Sequence, residues 1–366
     1  MSNSEQQYID LYNDCRQMIC SHSAGVMNAV RDGAFHDFCS QRFPDRRVER
    51  YKYTDVSKLM EPDYGLNLNR LDIPVNPYDV FRCDVPNLST SLYFVLNDSF
   101  YTKALPKSTL PEGVIIDSLS AVSERNPELI GKYYSRLAKT AGDAVTALNT
   151  MLAQDGLFVY VPRGVRVDRA VQVINICRSD VDLMINRRVL IVVEDNAEIQ
   201  LLFCDHAADD RRFLTTQVVE AYVGDNARLD LYCMEETHAK NVRISNIYIQ
   251  QHASSSVNHN VITLHNGITR NSTELTFVGE GAECSLCGCV IADKEQHVDN
   301  NTLITHAVPH CQSHELYKYV LNGSSTGAFA GKVYVAKNAQ KTSSQMINQN
   351  LCGTKEARMY TQPMLE

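Results

Sequence analysis

The sequence predicts a mainly β protein, in which a β-helix follows an N-terminal region of helices and irregular segments. The first observation behind this prediction is the pattern of residues 278–351, where short alternations of apolar and polar residues are separated by frequent Gly and Asn. No helical period runs through this stretch, so strands of a few residues joined by tight turns are expected. The second observation is a phrase that recurs along the chain from residue 193.

The copies of this phrase share a Val, a short acidic or Gly/Asn turn, an Ala, and an alternation that ends in Leu. Ala197 and Ala227 lie 30 residues apart, and Ala282 follows 55 residues later, which is close to twice that spacing. One degenerate copy is therefore expected before the last. Such repetition predicts a solenoid whose units bury their apolar faces only by stacking, and these short strands favour a β-helix, with a β-sandwich as the alternative. The copies are VEDNAEIQL (193–201), VGDNARLDL (223–231) and VGEGAECSL (278–286).

The N-terminus predicts two amphipathic helices. The second helix, from Val26 to Phe38, is expected to break or bend near Gly33. In the first helix, apolar residues recur at steps of three and four and share one face. These residues are Tyr8, Leu11, Tyr12, Cys15, Met18 and Ile19.

The next part of the chain is less regular. The charged segment Asp45–Tyr53 is predicted to lie on the surface. Between Glu61 and Pro111, frequent prolines favour loops and extended segments over helices. Ser91–Val95, with the sequence SLYFV, is the best strand candidate in this region.

Two further helices are predicted before the β-rich part begins. Ser123 is expected to cap the first of them, with Pro127 in its first turn. Asp143 is expected to begin the second, and Gly156 to end it.

The pattern becomes strand-like at residues 157–161 and 165–176, and this change sets the domain boundary. We expect an N-terminal helical and irregular domain at residues 1–156 and a β-helix core at residues 157–366. With 366 residues, 44% hydrophobic and 21% charged, the chain can bury a large core.

Charge and targeting patterns exclude several classes of protein. The formal net charge of −8 and the lack of a basic patch argue against nucleic-acid binding. The polar N-terminus does not resemble a signal peptide, and no apolar run reaches the roughly 20 residues that a membrane-spanning helix needs. We therefore predict a cytoplasmic protein whose 12 cysteines are thiols.

Four cysteines raise the question of a metal site. Cys284, Cys287, Cys289 and Cys311 resemble a ligand set for zinc or an iron–sulfur cluster. The same residues also fit a buried strand, in which Cys287 and Cys289 share a face by the period of two, and Cys is often fully buried. Because a second CxxC is missing, packing is the favoured interpretation, and a cysteine-ligated carrier of a metal or cluster is the alternative function.

Three histidines follow at four-residue spacing, but they do not predict a helical metal site. His306, His310 and His314 would form a stripe on a helix, yet Pro309 breaks it, so turn or surface positions are expected. The Gly-Lys pair at 331–332 lacks the spacing of an ATP-binding loop. No complete catalytic set is present, and a β-helical carbohydrate-active enzyme is a further alternative.

Several phrases resemble one known family, the SufB/SufD scaffold proteins of iron–sulfur cluster assembly. RYKYTDV (50–56) is similar to the N-terminal segment of the family. Within the family, the chain resembles SufD-type members more than SufB-type members, because ALNT is followed by QDG, and LLFCDHAAD (201–209) replaces a phrase expected in SufB. The longer matching phrases are DAVTALNTMLAQDGLFVYVPRGV (143–165), GEGAECSL (279–286), QHVDNNTLITHAVPHCQSHELYK (296–318) and GKVYVAKNAQKTSSQMINQNL (331–351).

The resemblance implies a right-handed parallel β-helix between helical end domains. It also implies a non-catalytic scaffold subunit that pairs with SufB and is coupled to the ATPase SufC in a SufBCD complex, with a homodimer as the expected state when SufB is absent. The chain is expected to bind no cofactor alone, and the iron–sulfur cluster would be held transiently in the assembled complex.

One departure limits what the resemblance implies about sites. Family members continue past Glu366 with a Cys-Ser-His segment and a helical domain that docks SufC, and this sequence contains neither, so no cluster-binding residue carries over. The candidates for handling the cluster are therefore His310, Cys311, His306 and Cys287, chosen for their places in the matching phrases. No catalytic, cofactor-binding or metal-binding residue is assigned.

Overall fold

The computed structural model describes residues 3–80, 90–106 and 110–366. The helices are α1 (Asn3–Ser21), α2 (Gly25–Asn28), α3 (Arg31–Ser40), α4 (Val56–Leu59), α5 (Pro77–Val80), α6 (Leu119–Arg125), α7 (Pro127–Tyr133) and α8 (Ala144–Leu152), with a 3-10 turn at Glu49–Tyr51. The early strands are β1 (Ser91–Leu96), β2 (Ser99–Phe100), β3 (Ile115–Ser118), β4 (Leu157–Val161), β5 (Val171–Cys177) and β6 (Leu183–Val193). The next six are β7 (Glu198–Ala207), β8 (Phe213–Val223), β9 (Arg228–Glu236), β10 (Asn241–Gln251), β11 (Ser256–His265) and β12 (Ile268–Phe277). The last six are β13 (Glu283–Ala292), β14 (His297–His306), β15 (Gln312–Leu321), β16 (Thr326–Val335), β17 (Ser343–Cys352) and β18 (Arg358–Leu365).

These strands form two facing sheets that wind as a parallel solenoid. Sheet I has the order β2-β1-β5-β7-β9-β11-β13-β15-β17, and sheet II has the order β3-β4-β6-β8-β10-β12-β14-β16-β18. From β5 onward the chain alternates between the sheets, and each strand pairs in parallel with the strand two positions away. The predicted β-helix is therefore confirmed.

The apolar core fills the space between the two sheets, which we call the lumen. Along β13, for example, burial alternates strictly, so that Cys284, Leu286 and Val290 face the lumen while their neighbours face outward. This period of two is what one buried face of a strand requires. Each coil alone has too little apolar surface to be stable, so stacking supplies the core.

The repeated phrase forms one corner of the solenoid, where each coil passes from sheet II to sheet I. The residue before each Ala has a positive φ, with values of 57° at Asn196, 54° at Asn226 and 73° at Gly281. The expected degenerate copy lies at Ser254, whose φ is 55°. Asn and Gly adopt this left-handed conformation at little cost, which explains why the phrase keeps them there.

One prediction about the N-terminal helices needs correction. Helix α1 is present as predicted, but the break in the next helical stretch lies at Ala29–Val30, and Gly33 is inside α3. Nothing lies within 4 Å of a Cβ built on Gly33, so this glycine has no bending role.

The helices that precede the solenoid also begin elsewhere than predicted. Ser123 lies inside α6, whose cap is Ser118, and Asn126 caps α7 with Pro127 at its first position. Asp143 caps α8 as predicted by accepting a hydrogen bond of 2.8 Å from the Thr146 backbone N–H.

Gly156 does not end α8, which finishes at Leu152. A Cβ at Gly156 would lie 2.0 Å from the carbonyl oxygen of Arg188. This glycine therefore permits the close approach of the chain to sheet II at the start of the solenoid.

The predicted surface segment Asp45–Tyr53 is mostly exposed, as expected, but Tyr51 within it is buried and the segment also makes contacts with the solenoid. Residues 49–54, which we call the strap, lie across the outer face of sheet II. Tyr51 is buried, and its ring lies 4.1 Å from the Arg270 guanidinium. Thr54 donates a hydrogen bond of 2.6 Å to Asp299, and the ring of Tyr53 stacks on Tyr360 at 4.8 Å. The aromatic residues interleaved with charges here thus contact β12 and β18, while Thr54 contacts β14.

The proline-rich region between Glu61 and Pro111 is irregular, apart from the short helices and strands given above. Its residues 81–89 and 107–109 lie outside the described residues. The strand predicted at Ser91–Val95 is confirmed as β1, which joins sheet I beside β5. None of the described helices is long and apolar enough to cross a membrane.

Candidate functional site

Two of the candidate residues, His310 and Cys311, form the same corner that the repeated phrase forms in earlier coils. His310 occupies the left-handed position, with φ of 63°, and its backbone N–H donates a hydrogen bond of 3.1 Å to Gln340 O in the next coil. Cys311 takes the place that Ala197, Ala227 and Ala282 take in other coils. The backbone geometry of the corner thus places the imidazole outward and the thiol inward.

The Cys311 thiol is fully buried and donates its proton to backbone oxygens. Its sulfur lies 3.4 Å from Gly279 O and 3.5 Å from Pro309 O. Burial raises the pKa of this thiol, so it remains protonated at neutral pH, whereas metal ligation requires the thiolate. In this state Cys311 serves as packing at the corner.

His306 lies at the end of β14 and points into the lumen near the same corner. Its Nε2 is 2.9 Å from Ser313 Oγ, and Ser313 donates to Ser344 Oγ at 2.8 Å. The imidazole packs against the Phe277 ring at 4.7 Å. Burial lowers the pKa of His306 to about 4, so the ring is neutral, while its Nδ1 has no hydrogen-bond partner among the described residues.

The cysteine set on β13 is divided between the two faces of sheet I. Cys284 points into the lumen, where burial raises its pKa well above the usual value. Cys287 and Cys289 point outward, as the period of two predicts, and Cys289 is exposed. Cys287 Sγ lies 3.5 Å from Ser285 Oγ. Cys287 is half-buried, so it is the most accessible of the four cluster-handling candidates after the exposed His310.

The structure therefore brings His306, His310 and Cys311 to one corner and leaves Cys287 on the outer face of the sheet. Within the parts of the chain that the structure describes, no three His, Cys, Asp or Glu side chains are placed to hold a metal ion. His314 points outward from β15, so the three spaced histidines do not converge. Chemically, the corner offers a neutral imidazole and a protonated thiol.

Sequence reasoning missed a row of polar side chains inside the lumen. At its start, Arg187 and Asp205 form an ion pair in which each side chain is only 3% exposed. Arg187 Nε also donates to Asn97 O at 2.8 Å and its Nη2 to the Cys177 sulfur at 3.3 Å. Arg243 Nε lies 3.5 Å from the other oxygen of Asp205, so one carboxylate is placed between two guanidinium groups.

The row continues through later coils as a chain of hydrogen bonds. Arg243 donates to Asn271 at 2.8 Å, Asn271 donates to Asn300 at 2.9 Å, and Asn300 donates to the Tyr319 hydroxyl at 2.7 Å. Tyr319 then donates to Ala328 O at 2.8 Å. We call Arg187, Asp205, Arg243, Asn271, Asn300 and Tyr319 the lumen file. Because each polar group must meet its partner, we expect the file to favour one alignment of successive coils.

Two buried carboxyl groups lie beside this file. Burial raises the pKa of Glu235 to about 7 and that of Glu315 to about 7. Glu235 accepts hydrogen bonds from Thr269 at 2.8 and 2.9 Å, and Glu315 Oε2 accepts one from Thr302 at 2.5 Å. The sequence pattern that could have revealed them is the polar residue at inward positions of otherwise apolar strands.

The last coil differs from the earlier ones in its exposure. Strands β17 and β18 stand at the ends of the two sheet orders, so each has a hydrogen-bonded neighbour on one side only among the described strands. Their residues are mostly exposed or half-buried, and Leu351 is 62% exposed. An edge strand of this kind is able to pair with a further strand.

Comparison with known proteins agrees with this architecture. A profile described as the SufBD protein N-terminal region matches residues 2–173, and one described as the SufBD core domain of the SUF system for FeS cluster assembly matches residues 176–366. The chain belongs to the SufBD family. The resemblance found in the sequence is thereby confirmed, and the family supports a role in iron–sulfur cluster assembly.

Relatives of this SufBD chain are similar over most of its length at low identity. An iron–sulfur cluster assembly SufBD family protein of Synechocystis sp. is 23% identical over 95% of this chain and 78% of its own length. The chloroplastic protein ABCI7 of Arabidopsis thaliana is 23% identical over 93% of this chain and 72% of its own. The iron–sulfur cluster assembly protein SufD of Bacillus subtilis is 21% identical over 77% of this chain and 65% of its own length.

Proposed function

We propose that this chain is a SufD-like, non-catalytic scaffold subunit that pairs with a SufB-type subunit and works with a SufC-type ATPase in the cytoplasm. The observation that carries this proposal is the pair of edge strands, β17 and β18. The nascent iron–sulfur cluster is cargo of the assembled complex, and the chain alone holds no cofactor. A second copy of the chain takes the partner's place when SufB is absent.

The direction of the backbone groups supports pairing at this edge. Ser343 N–H donates to Cys311 O at 3.1 Å, so Ser343 and every second residue after it face β15. In a parallel strand the alternate residues face the other side, which places the N–H groups of Asn348 and Asn350 on the open edge. Arg358 N–H likewise faces β16, by a bond of 3.0 Å to Ser325 O.

A backbone variant tests whether this edge pairs. Asn350→Pro removes one N–H on the open side without removing a bond to β15, and Asn350→Ala is the matched control. The chain is co-expressed with SufB and SufC homologues, and the complexes are measured by size-exclusion chromatography with light scattering. We expect Asn350→Ala to co-purify with SufB and Asn350→Pro to lose it, with both variants unfolding at similar temperatures.

Two results would contradict the proposal. One is a chain that remains strictly monomeric at micromolar concentration, both alone and with SufB. The other is SufB binding that is equal in the Pro and Ala variants. The absence of a cofactor is tested separately by anaerobic reconstitution with iron and sulfide, in which visible absorption above the apo baseline that depends on Cys287 would show a resident cluster.

A further inference from the structure

A cavity of about 530 Å³ lies on the outer face of sheet II, away from the edge strands and the corner described above. Three segments form its walls: the strap, the loop between α7 and α8, and strands β10 and β12. It lies where the region matched by the N-terminal profile meets the core. Its volume is in the range of small-molecule sites, and such sites favour domain boundaries.

The charged side chains of this cavity have unequal partners. Arg50 pairs with Glu274 at 2.5 Å, and Asp143 caps α8 while accepting a hydrogen bond of 2.9 Å from the Tyr51 hydroxyl. Arg136 and Lys139 are exposed, and in the described parts of the chain neither has a carboxylate within ion-pair distance. Asp143 has no cation partner in those parts either, so the charged residues that line the cavity leave it with one net positive charge, on a chain of formal net charge −8.

The loop that carries these two cations is held rigidly. The buried carboxylate of Glu220 accepts backbone hydrogen bonds of 2.8 Å from Ser135, 2.8 Å from Leu137 and 3.1 Å from Ala138. Glu220 is itself paired with the buried Arg188 at 2.7 Å. Farther along the loop, the Thr140 hydroxyl donates to Asp37 at 2.5 Å. A loop fixed in this way holds the backbone of Arg136 and Lys139 beside the cavity, so the ordering cost of binding is limited to their side chains.

We propose that this cavity binds a small phosphorylated molecule, with its phosphate between Arg136 and Lys139. A guanidinium fork and a lysine ammonium are the groups that bind phosphate oxygens in charge-assisted hydrogen bonds. Gln250 and Thr276 line the opposite wall and supply polar groups for the rest of the ligand, while Leu137 supplies apolar surface. This site is independent of the proposed pairing with SufB, because it lies on a different surface.

The test uses pyrophosphate and inorganic phosphate as probes and isothermal titration calorimetry with the full chain at low ionic strength. We expect pyrophosphate to bind more tightly than phosphate, and the double variant Arg136→Ala/Lys139→Ala to weaken binding by at least about tenfold. The matched control is Lys355→Ala/Arg358→Ala, which removes the same charge from exposed positions at the last coil. Added salt should weaken binding to the native chain, because the contact is ionic.

Two outcomes would overturn the proposal: no measurable heat with millimolar pyrophosphate, or equal binding by the two double variants. Both cations are exposed, so neither substitution is expected to affect folding. Circular dichroism of each variant checks this directly. Because SufB is not added, a failure here leaves the pairing experiment unaffected.

Discussion

Replacing Asp205 with Asn gives the sharpest test of the lumen file. The carboxylate lies between two guanidinium groups, and its side chain and that of Arg187 are each 3% exposed. Arg243 Nε is 3.5 Å away, and at an effective dielectric constant of about 20 one such contact corresponds to roughly 5 kcal/mol of Coulomb attraction. Removing the charge leaves two buried cations near one another.

We expect this substitution to lower the free energy of unfolding by about 3–5 kcal/mol, which is typical when one partner of a buried pair is lost. The measurement is urea unfolding at neutral pH, followed by circular dichroism. Asp182→Asn is the matched control, because its pair with Arg212, at 2.6 Å, lies at the surface with the two side chains 30% and 51% exposed. That control should cost less than about 1 kcal/mol.

An apolar replacement separates charge from packing. The triple variant Arg187→Met/Asp205→Leu/Arg243→Met removes all three charges at once. It should recover most of the stability that Asp205→Asn loses, because buried ionic groups can often be replaced by apolar side chains of similar size. If Asp205→Asn costs no more than Asp182→Asn, the argument that this carboxylate neutralises two buried cations is refuted.

Three further predictions concern the lumen and the thiols. For Glu315, whose folded pKa is about 7 against a usual value of 4.5, the native state favours the protonated form. Its contribution to stability is therefore present below pH 4.5 and lost as the pH rises through 7. Glu315→Gln should be more stable than the native chain at pH 8 by up to about 3 kcal/mol and equal to it at pH 4. Urea unfolding of both proteins at both pH values measures this, and a stability difference that is the same at pH 4 and pH 8 would contradict it. Gly288→Ala should lower the free energy of unfolding by about 1–3 kcal/mol, because the new Cβ would lie 2.2 Å from the Tyr317 ring. Gly33→Ala in α3, where nothing lies within 4 Å of the new Cβ, should instead raise it by about 0.5–1 kcal/mol. Thermal unfolding compares the two variants, and equal effects would refute the packing argument. In the native protein, Cys289 and Cys352 should react with a maleimide before Cys284 and Cys311, because the first two are exposed and the others buried. Mass spectrometry of the labelled peptides measures the order, and equally fast labelling of the buried pair would disprove it.

The solenoid was predictable because its repeat leaves two independent marks in the sequence. The corner demands a left-handed residue in every coil, so Asn196, Asn226 and Gly281 recur, and the strands demand alternation. Where Ser254 takes the corner position, the phrase becomes unrecognisable although the backbone geometry is the same. The coil at Ser254 therefore keeps the corner geometry of the repeat although its sequence no longer shows the repeated phrase.

The helical boundaries and the strap were less predictable, since they depend on contacts far away in sequence. Ser123 looked like a cap, but Ser118 caps the helix because the chain enters it directly from β3. Tyr51 lies in a charged segment that appeared exposed, and its burial depends on partners far along the chain, among them Asp143 and Arg270. Local patterns carry no information about such partners.

The candidate site was predictable only in part, for the same reason. Alternation correctly placed Cys287 and Cys289 on one face, but the orientation of His306 toward Ser313 depends on how the coil closes. The lumen file was missed because a polar residue in a strand, such as Asn271 or Asn300, is ordinarily assigned to the solvent face. Its members are complementary only once the coils are stacked.

The strap has a consequence for how the protein is made. The strap leaves the ribosome early, yet Tyr53 and Glu49 contact Tyr360 and Gln362 in the final strand. Chains fold as they emerge, from the N-terminus onward, so the strap must remain without these contacts until the last coil has been synthesised. Closing the strap is therefore a late step of folding, possible only after β18 has been made.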